Sequence, residues 1–213
     1  MLPPSLRRRG DSPECVTGGE TAAGAHYRVR MLLMPPHVRF QRSYLDAVDE
    51  FDGQHRDGDG EWGAHPDGRY PGVEFTRAEL ETAEGFQRFV DWRLADRLED
   101  TPRPAAFVPC TYLWMVEGDE YVGSLSIRHR LTDFLLNYGG HIGYSVRPSR
   151  RLRGHAKAAL AQAIPRAAEL GIGRVLVTCD EDNDGSRRTI EANGGVYEDS
   201  REGKRRYWIE TNA

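Results

Sequence analysis

The chain has 213 residues, 38% hydrophobic and 29% charged, with a mean hydropathy of −0.65, a composition that suffices for one buried core and excludes wholesale disorder. Its 29 basic and 33 acidic side chains give a formal charge of −4, which excludes the global positive field that draws proteins to nucleic acid or anionic lipid. Cys15, Cys110 and Cys179 are widely spaced with no CxxC pair, and neither a long apolar span nor a signal-peptide core is present, so the sequence reads as a cytoplasmic protein of a reducing compartment, without disulfides, bound metal or membrane contact.

Residues 1–25 are rich in Gly, Pro, Ser, Thr and Arg without hydrophobic periodicity and read as a disordered tail, with Arg7-Arg8-Arg9 solvated; residues 26–213 read as one domain. The run 27–34 (YRVRMLLM) predicts a strand closed by Pro35-Pro36. Phe40, Tyr44, Leu45, Val48 and Phe51 then form one stripe of a helix ending before Gly53. Residues 53–72 are Gly- and Pro-rich, a stretch long enough to serve as a lid over a substrate. Its Asp57-Gly58-Asp59-Gly60-Glu61 fails as a calcium loop, because Trp62 stands where glycine is required and Gly68 where glutamate is required.

Thr76, with Glu79 three residues on as a capping box, opens a long helix through Leu80, Phe86, Phe89, Val90, Leu94 and Leu98, stopping before Pro102. Two strand-like runs, 109–116 and 121–128, joined by residues 117–120, predict a hairpin, and 141–146 predicts a third strand. A helix follows with Ala156, Ala159, Leu160, Ala163, Ile164, Ala167 and Leu170 on its apolar face, kinked at Pro165 and closed by Gly171 and Gly173. Val175-Leu176-Val177 reads as a strand buried on both faces, followed by a short helix from about 184 to 193 and a last hairpin, 196–197 with 206–209. The interleaving predicts a mixed α/β sheet with helices on both faces.

The most informative segment is Val146-Arg147-Pro148-Ser149-Arg150-Arg151-Leu152-Arg153-Gly154-His155-Ala156, a strand end, a basic turn and the first turn of a helix. Helix-start N–H groups point outward and the macrodipole favours negative charge, while Gly154 and Ala156 carry no bulk that would hold a phosphate away. It is neither a P-loop nor a dinucleotide fingerprint, since no GK[ST] or GxGxxG is present.

Arg151-Leu152-Arg153-Gly154-His155-Ala156 resembles the R/Q-x-x-G-x-G/A signature of the GCN5-related N-acetyltransferase (GNAT) superfamily. GGHIGYSVRPSRR before it, VLVTCDEDN after it, and Ser186-Arg187-Arg188 with Glu191-Ala192-Asn193-Gly194-Gly195 extend the resemblance, toward the bacterial predicted-acetyltransferase and ribosomal-protein-acetyltransferase-like members. It is strong over 109–209 and weak before that. It implies a central, mostly antiparallel sheet with one splayed parallel strand pair, acetyl-CoA (coenzyme A) as cofactor, and direct acetyl transfer to a primary amine.

Carried over residue by residue, the resemblance places Val146 against the pantetheine arm and the amides of Arg151, Leu152, Arg153, Gly154, His155 and Ala156 around the pyrophosphate. Asn183 contacts the cofactor, Ser186 lies near the thiol, and Arg187 or Arg188 meets the 3′-phosphate. Many members carry a tyrosine acid seven residues after that asparagine; here the position is Ile190, which leaves Ser186 as the candidate proton donor, with Cys179 and Tyr144 behind it. An amine with a pKa of about 10.4 is mostly protonated at neutral pH, so a base is useful, and His141 is the candidate, where many relatives place a glutamate. Its alternative is a strand histidine satisfied by a neighbouring carbonyl.

His129 and Tyr138 flank residues 132–137 and are candidates for the acceptor pocket. Trp62, Trp92, Trp114 and Trp208 read as core or lid residues. The acceptor is a small molecule, peptide or protein amine, with the acidity of Asp57, Asp59, Glu61 and Asp67 favouring a cationic one weakly. A homodimer is compatible with the family. The alternative reading is a non-catalytic acyl-CoA sensor, motivated by Ile190; a third, an RNA-associated modifier, has only the basic run Arg201 to Arg206.

Overall fold

A computed structural model describes residues 30–59, 74–104 and 106–211. In chain order these form β1 (Leu32–Met34), α1 (Gln41–Phe51), α2 (Arg77–Glu81), α3 (Ala83–Ala95), β2 (Cys110–Glu117), β3 (Glu120–Arg128), β4 (Ile142–Val146), α4 (His155–Glu169), β5 (Arg174–Asp180), α5 (Asp184–Glu191), β6 (Val196–Arg201) and β7 (Lys204–Glu210). A π-helical turn, Leu135–Gly139, lies between β3 and β4, and short 3-10 turns precede α1 and α4. The expected tail and residues 60–73 of the glycine-rich loop, Trp62 included, lie outside the described residues.

The strands form one sheet in the order β1-β2-β3-β4-β5-β7-β6, antiparallel at every contact except the parallel β4–β5 pair. Because strand side chains alternate between faces, β2 feeds two cores. Leu113 and Met115 join Leu125, Ile127, Ile142, Val175 and Val177 against Ala159, Leu160, Ala163 and Ala167 of α4. Trp114 and Val116 join Phe40, Tyr44, Phe86, Phe89 and Tyr121 under α1 and α3. Helices therefore cover both faces, as the interleaved pattern predicts. No helix among the described residues is long and apolar enough to cross a membrane.

The capping box at Thr76 forms as expected, with the Glu79 N–H donated to Thr76 Oγ1 and the Thr76 N–H donated to Glu79 Oε2. The helix it opens is two helices, however. Thr82 is extended (φ −85°, ψ 148°) and caps α3 by accepting the Gly85 N–H, while Gly85 packs so near the Glu79 carbonyl that a Cβ there would lie 2.1 Å from its oxygen. Periodicity continued across a break that a close backbone contact decides, and Leu98 falls beyond the helix, 48% exposed.

α4 continues through Pro165 and closes in a Schellman turn, with Gly171 at φ +77° and the Ile172 and Gly171 N–H groups donated to the Ala167 and Ala168 carbonyls. β7 binds its own charges inward. Arg206, 1% exposed, pairs with Glu198 and Asp199, Lys204 pairs with Asp180, and Arg201 with Asp199, so the basic run 201–206 is largely neutralised within the fold.

Candidate active site

The site begins at the two edges of β4. Toward β3, the bonds from Arg147 N–H to Val122 O and from Arg128 N–H to His141 O establish which residues turn their amides that way. Alternation then sends the backbone groups of Ile142, Tyr144 and Val146 toward β5. β5 meets β4 at one position, Ile142 opposite Val177, and beyond it the strands part. The N–H groups of Tyr144 and Val146 thus face an open wedge, while the Val146 carbonyl accepts Arg151 Nε at 3.1 Å.

The wedge opens toward the basic turn. Leu152 and Gly154 both have positive φ, +62° and +84°, which rolls the backbone into a concave loop ahead of α4. A Cβ built on Gly154 would meet no atom within 4 Å. Among the described residues, none of the N–H groups of residues 152–157 is donated to a backbone carbonyl. These amides and the positive end of a 15-residue helix form an anion cradle.

The arginines of this segment divide into two sets. Arg147 donates Nε to Glu50 at 2.8 Å and also pairs with Glu120 at 3.2 Å; Arg150 pairs with Glu120; the Ser149 N–H is donated to Glu50 at 3.2 Å. These side chains fasten the turn to α1 and to the β2–β3 turn. Arg153, by contrast, is exposed and, among the described residues, reaches only the Ser149 carbonyl at 3.4 Å. His155 is 5% exposed and turns its ring inward, with Nδ1 3.8 Å from Glu117, so its amide alone belongs to the cradle.

The hydrogen bond from Arg147 holds the Glu50 carboxyl down to about 2. A folded value below the unfolded value of about 4.3 contributes stability that is complete above the unfolded value and is lost as pH falls through the folded one. Glu50→Gln is accordingly expected to be less stable than wild type at neutral pH, with the gap in melting temperature closing from about pH 5 down to pH 2. A gap independent of pH would contradict the pairing.

Across the wedge, Asn183 caps α5, its Oδ1 accepting the Ser186 N–H at 2.9 Å. Ser186 Oγ lies 2.7 Å from Tyr144 Oη, a hydroxyl pair that bridges β4 and α5. Burial raises the tyrosine well above its ordinary value, so it stays protonated. Cys179 on β5 is raised by burial in the same way. Ile190 is fully buried, with Gly195 packed tightly on it, so the position where relatives carry a tyrosine is a core residue here.

His141 is brought to the start of β4 but not into base chemistry. Its Nδ1 accepts the Leu176 N–H at 2.9 Å, which puts the ring's one proton on Nε2, and burial followed by the charge of Arg128 lowers the ring to about 4. It is a neutral ring tying β4 to β5, the alternative that the sequence left open, except that the partner is an amide rather than a carbonyl. His129 Nε2 is 2.8 Å from Thr111 Oγ1. Tyr138 lies under Lys204, whose Nζ is 4.5 Å from the ring centre, and its carbonyl accepts Thr178 Oγ1 at 2.7 Å. Arg187 is engaged by Asp184 and Glu191, whereas exposed Arg188 has no ion pair among the described residues. Trp114 is core, as expected; the other described tryptophans, Trp92 and Trp208, are partly buried.

Residues 55–59 are pinned against the sheet, a feature that composition did not indicate. Asp59, 1% exposed, accepts Tyr44 Oη at 3.0 Å and Ser124 Oγ at 2.9 Å and pairs with Arg56 at 2.8 Å. Gly58, at φ +80°, lies so close to β4 that a Cβ would come within 2.3 Å of the Gly143 oxygen. Within the described part of this stretch, Arg56, Gly58 and Asp59 therefore pack against the sheet and α1. A surface depression lies elsewhere, between the end of α5 and the β6–β7 hairpin, lined by Arg174, Val196, Tyr197 and Trp208.

A family model described as "Acetyltransferase (GNAT) domain" matches residues 56–196. No curated protein matches the chain. Among solved structures, it is similar to Mycobacterium smegmatis RimJ in complex with CoA-disulfide, at 17% identity and TM-score 0.55, covering 84% of this chain and 81% of that one. It is similar to RimL, described as a ribosomal L7/L12 alpha-N-protein acetyltransferase in complex with coenzyme A, at 16% identity and TM-score 0.53, covering 86% and 95%. It is similar also to the ribosomal-protein-S5-alanine acetyltransferase from Vibrio fischeri, at 13% identity and TM-score 0.55, covering 85% and 93%.

Proposed function

The chain belongs to the GNAT acetyltransferase family, and from that premise we propose that it transfers an acetyl group from acetyl-CoA directly to a primary amine, the α-amine of a peptide or protein. The observation that carries this reading is the continuity of one surface: the free amides of Tyr144 and Val146 on the splayed edge lead directly into the open amide cradle at residues 152–157. The first suits an extended amide-bearing arm and a thioester oxygen, the second a pyrophosphate.

In such a site the amine nitrogen would attack the thioester carbon as the C–S bond breaks, the proton lost from nitrogen passing to solvent and the departing thiolate taking one from the protein. Ser186 Oγ is the donor this chain offers, and Tyr144 Oη at 2.7 Å is placed to resupply it. Much of the rate then comes from alignment, worth about 7–11 kcal/mol in well-oriented systems.

The acceptor class follows from the state of His141. With its lone pair engaged by the Leu176 N–H, His141 does not take the amine's proton, which favours an acceptor that is already partly neutral. An α-amine with a pKa of about 7.7–8.0 is roughly 10% free at pH 7, against ~0.04% for a lysine side chain near 10.4, an advantage of a few hundredfold. The alpha-N-protein and alanine acetyltransferases among the structural neighbours support the same choice.

Free thiol should therefore appear with acetyl-CoA and a peptide bearing a free N-terminus, and at least ~100-fold more slowly with the same peptide N-terminally blocked and carrying one lysine. Equal turnover of the two would overturn the α-amine assignment. Tight acyl-CoA binding with no thiol release from any amine would instead support the sensor reading that Ile190 motivates.

A further inference from the structure

We propose that Asp57 is the residue that receives the acceptor, its carboxylate binding the ammonium form of the incoming amine on the face of β4 opposite α4 and α5. This rests on the acetyl-transfer reading above and adds to it a recognition residue.

The placement is built from the alternation of β4 and from two sets of contacts. Side-chain alternation along β4 puts Ile142, Tyr144 and Val146 on the α4 face and turns Gly143 and Ser145 to the other. Gly58 lies on that second face, its N 3.2 Å from where a Gly143 Cβ would stand. Two glycines packed on one another bring the loop as near the open strand edge as backbone can come. Asp59 then locks the loop through Tyr44, Ser124 and Arg56, so Asp57 is held beside the position where a thioester on the Tyr144 and Val146 amides would be attacked.

Unlike Asp59, Asp57 is available. Its side chain is 62% exposed, and among the described residues its one hydrogen bond is accepted by Oδ1 from His55 Nε2 at 3.2 Å. The groups that face it are His55, Lys204 and Arg128. The two permanent cations are committed elsewhere, Lys204 to Asp180 and Arg128 Nη1 to the carbonyls of Gly139 and Gly140 at 2.8 and 3.2 Å. The hydrogen bond from His55, then those charges, hold the Asp57 carboxyl below its ordinary value, so it is ionised at neutral pH and is an anchor rather than a base. On leaving this carboxylate the amine gives its proton to solvent.

The test is steady-state kinetics of the whole protein with acetyl-CoA and two acceptors: a free-N-terminus peptide, cationic at pH 7, and a fluorinated alkylamine that is neutral at that pH. For Asp57→Asn, the KM of the cationic acceptor is expected to rise about 10-fold or more, as for loss of a charge-assisted hydrogen bond. The KM of the neutral amine, the KM of acetyl-CoA and the melting temperature should stay at wild-type values, as should all parameters of Asp46→Asn, an exposed control on α1. An unchanged KM for the cationic acceptor would overturn the proposal, as would equal rises for both acceptors. Failure of wild type to bind acetyl-CoA or release thiol would overturn the acetyl-transfer reading itself, a result distinct from either.

Discussion

Replacing Gly154 by glutamate is expected to weaken acetyl-CoA binding by at least ~100-fold, about 2.7 kcal/mol, and to abolish acetyl transfer with it. Two effects combine. Gly154 sits at φ +84° as the N-cap of α4, where an L side chain adds backbone strain of roughly 1 kcal/mol. A Cβ there would meet no protein atom within 4 Å, so a side chain is accommodated beside the free amides of the turn. A carboxylate adds a negative charge where the helix end and the free amides of residues 152–157 favour an anionic ligand. Gly154→Ala supplies the strain and one methyl group without the charge, and should fall between wild type and glutamate. Calorimetric titration of all three proteins measures the series. Wild-type affinity in the glutamate variant would mean that the turn holds no phosphate.

Asp59→Ala is expected to be the most destabilising single change in the region, lowering the unfolding free energy by about 3–5 kcal/mol. The carboxylate is buried beneath an aromatic group in which Tyr44 stacks on Trp114 at 5.1 Å and meets Tyr121 edge-on at 5.1 Å. Its removal takes the Asp59 charge from the Arg56 guanidinium, 14% exposed, and deprives the Tyr44 and Ser124 hydroxyls of this acceptor. Asp59→Asn keeps an acceptor oxygen and loses the charge, so its cost should be smaller. Urea denaturation gives the stabilities, and a loss below about 1 kcal/mol for alanine would show that the network is replaceable. Where the variant remains folded, kcat/KM for the acceptor should fall further than acetyl-CoA affinity, because the loop carrying Asp57 is released while the phosphate turn keeps its own fastening through Glu50 and Glu120.

The expected site was readable where its chemistry is local. The cradle lies within a few consecutive residues, and glycine at position 154, a small residue at 156 and a following apolar periodicity suffice to indicate a helix start open to an anion. Asn183 and Ser186 entered through the resemblance to the family, and the structure adds that Asn183 caps the helix by accepting the Ser186 N–H. His141 shows the opposite case. Its residue type suggests a base, but its role is set by Leu176, 35 positions away, whose N–H takes the lone pair a base would need. Glu50, 97 residues from Arg147, gave no signal at all. Asp57 was noticed only as part of a failed calcium loop and as weak local acidity, because nothing in its own segment says which strand it will be pressed against.

By itself, then, the sequence determined the elements that short-range physics controls: the capping box at Thr76, the β2–β3 hairpin, the glycine-closed end of α4, the anion-binding turn and the mixed sheet they imply. Hydrogen bonds within a turn and the period of a hydrophobic face are properties of neighbouring residues and survive without knowledge of the rest of the chain. The tertiary structure alone decided where the predicted helix breaks, which histidine lone pair is engaged, which arginines fasten the turn rather than face a ligand, and which of two nearby aspartates is buried and which stands exposed. Each of these depends on contacts between segments distant in sequence, where a single backbone approach, such as Gly58 on Gly143 or Gly85 on Glu79, selects one arrangement among several that local propensity leaves equal.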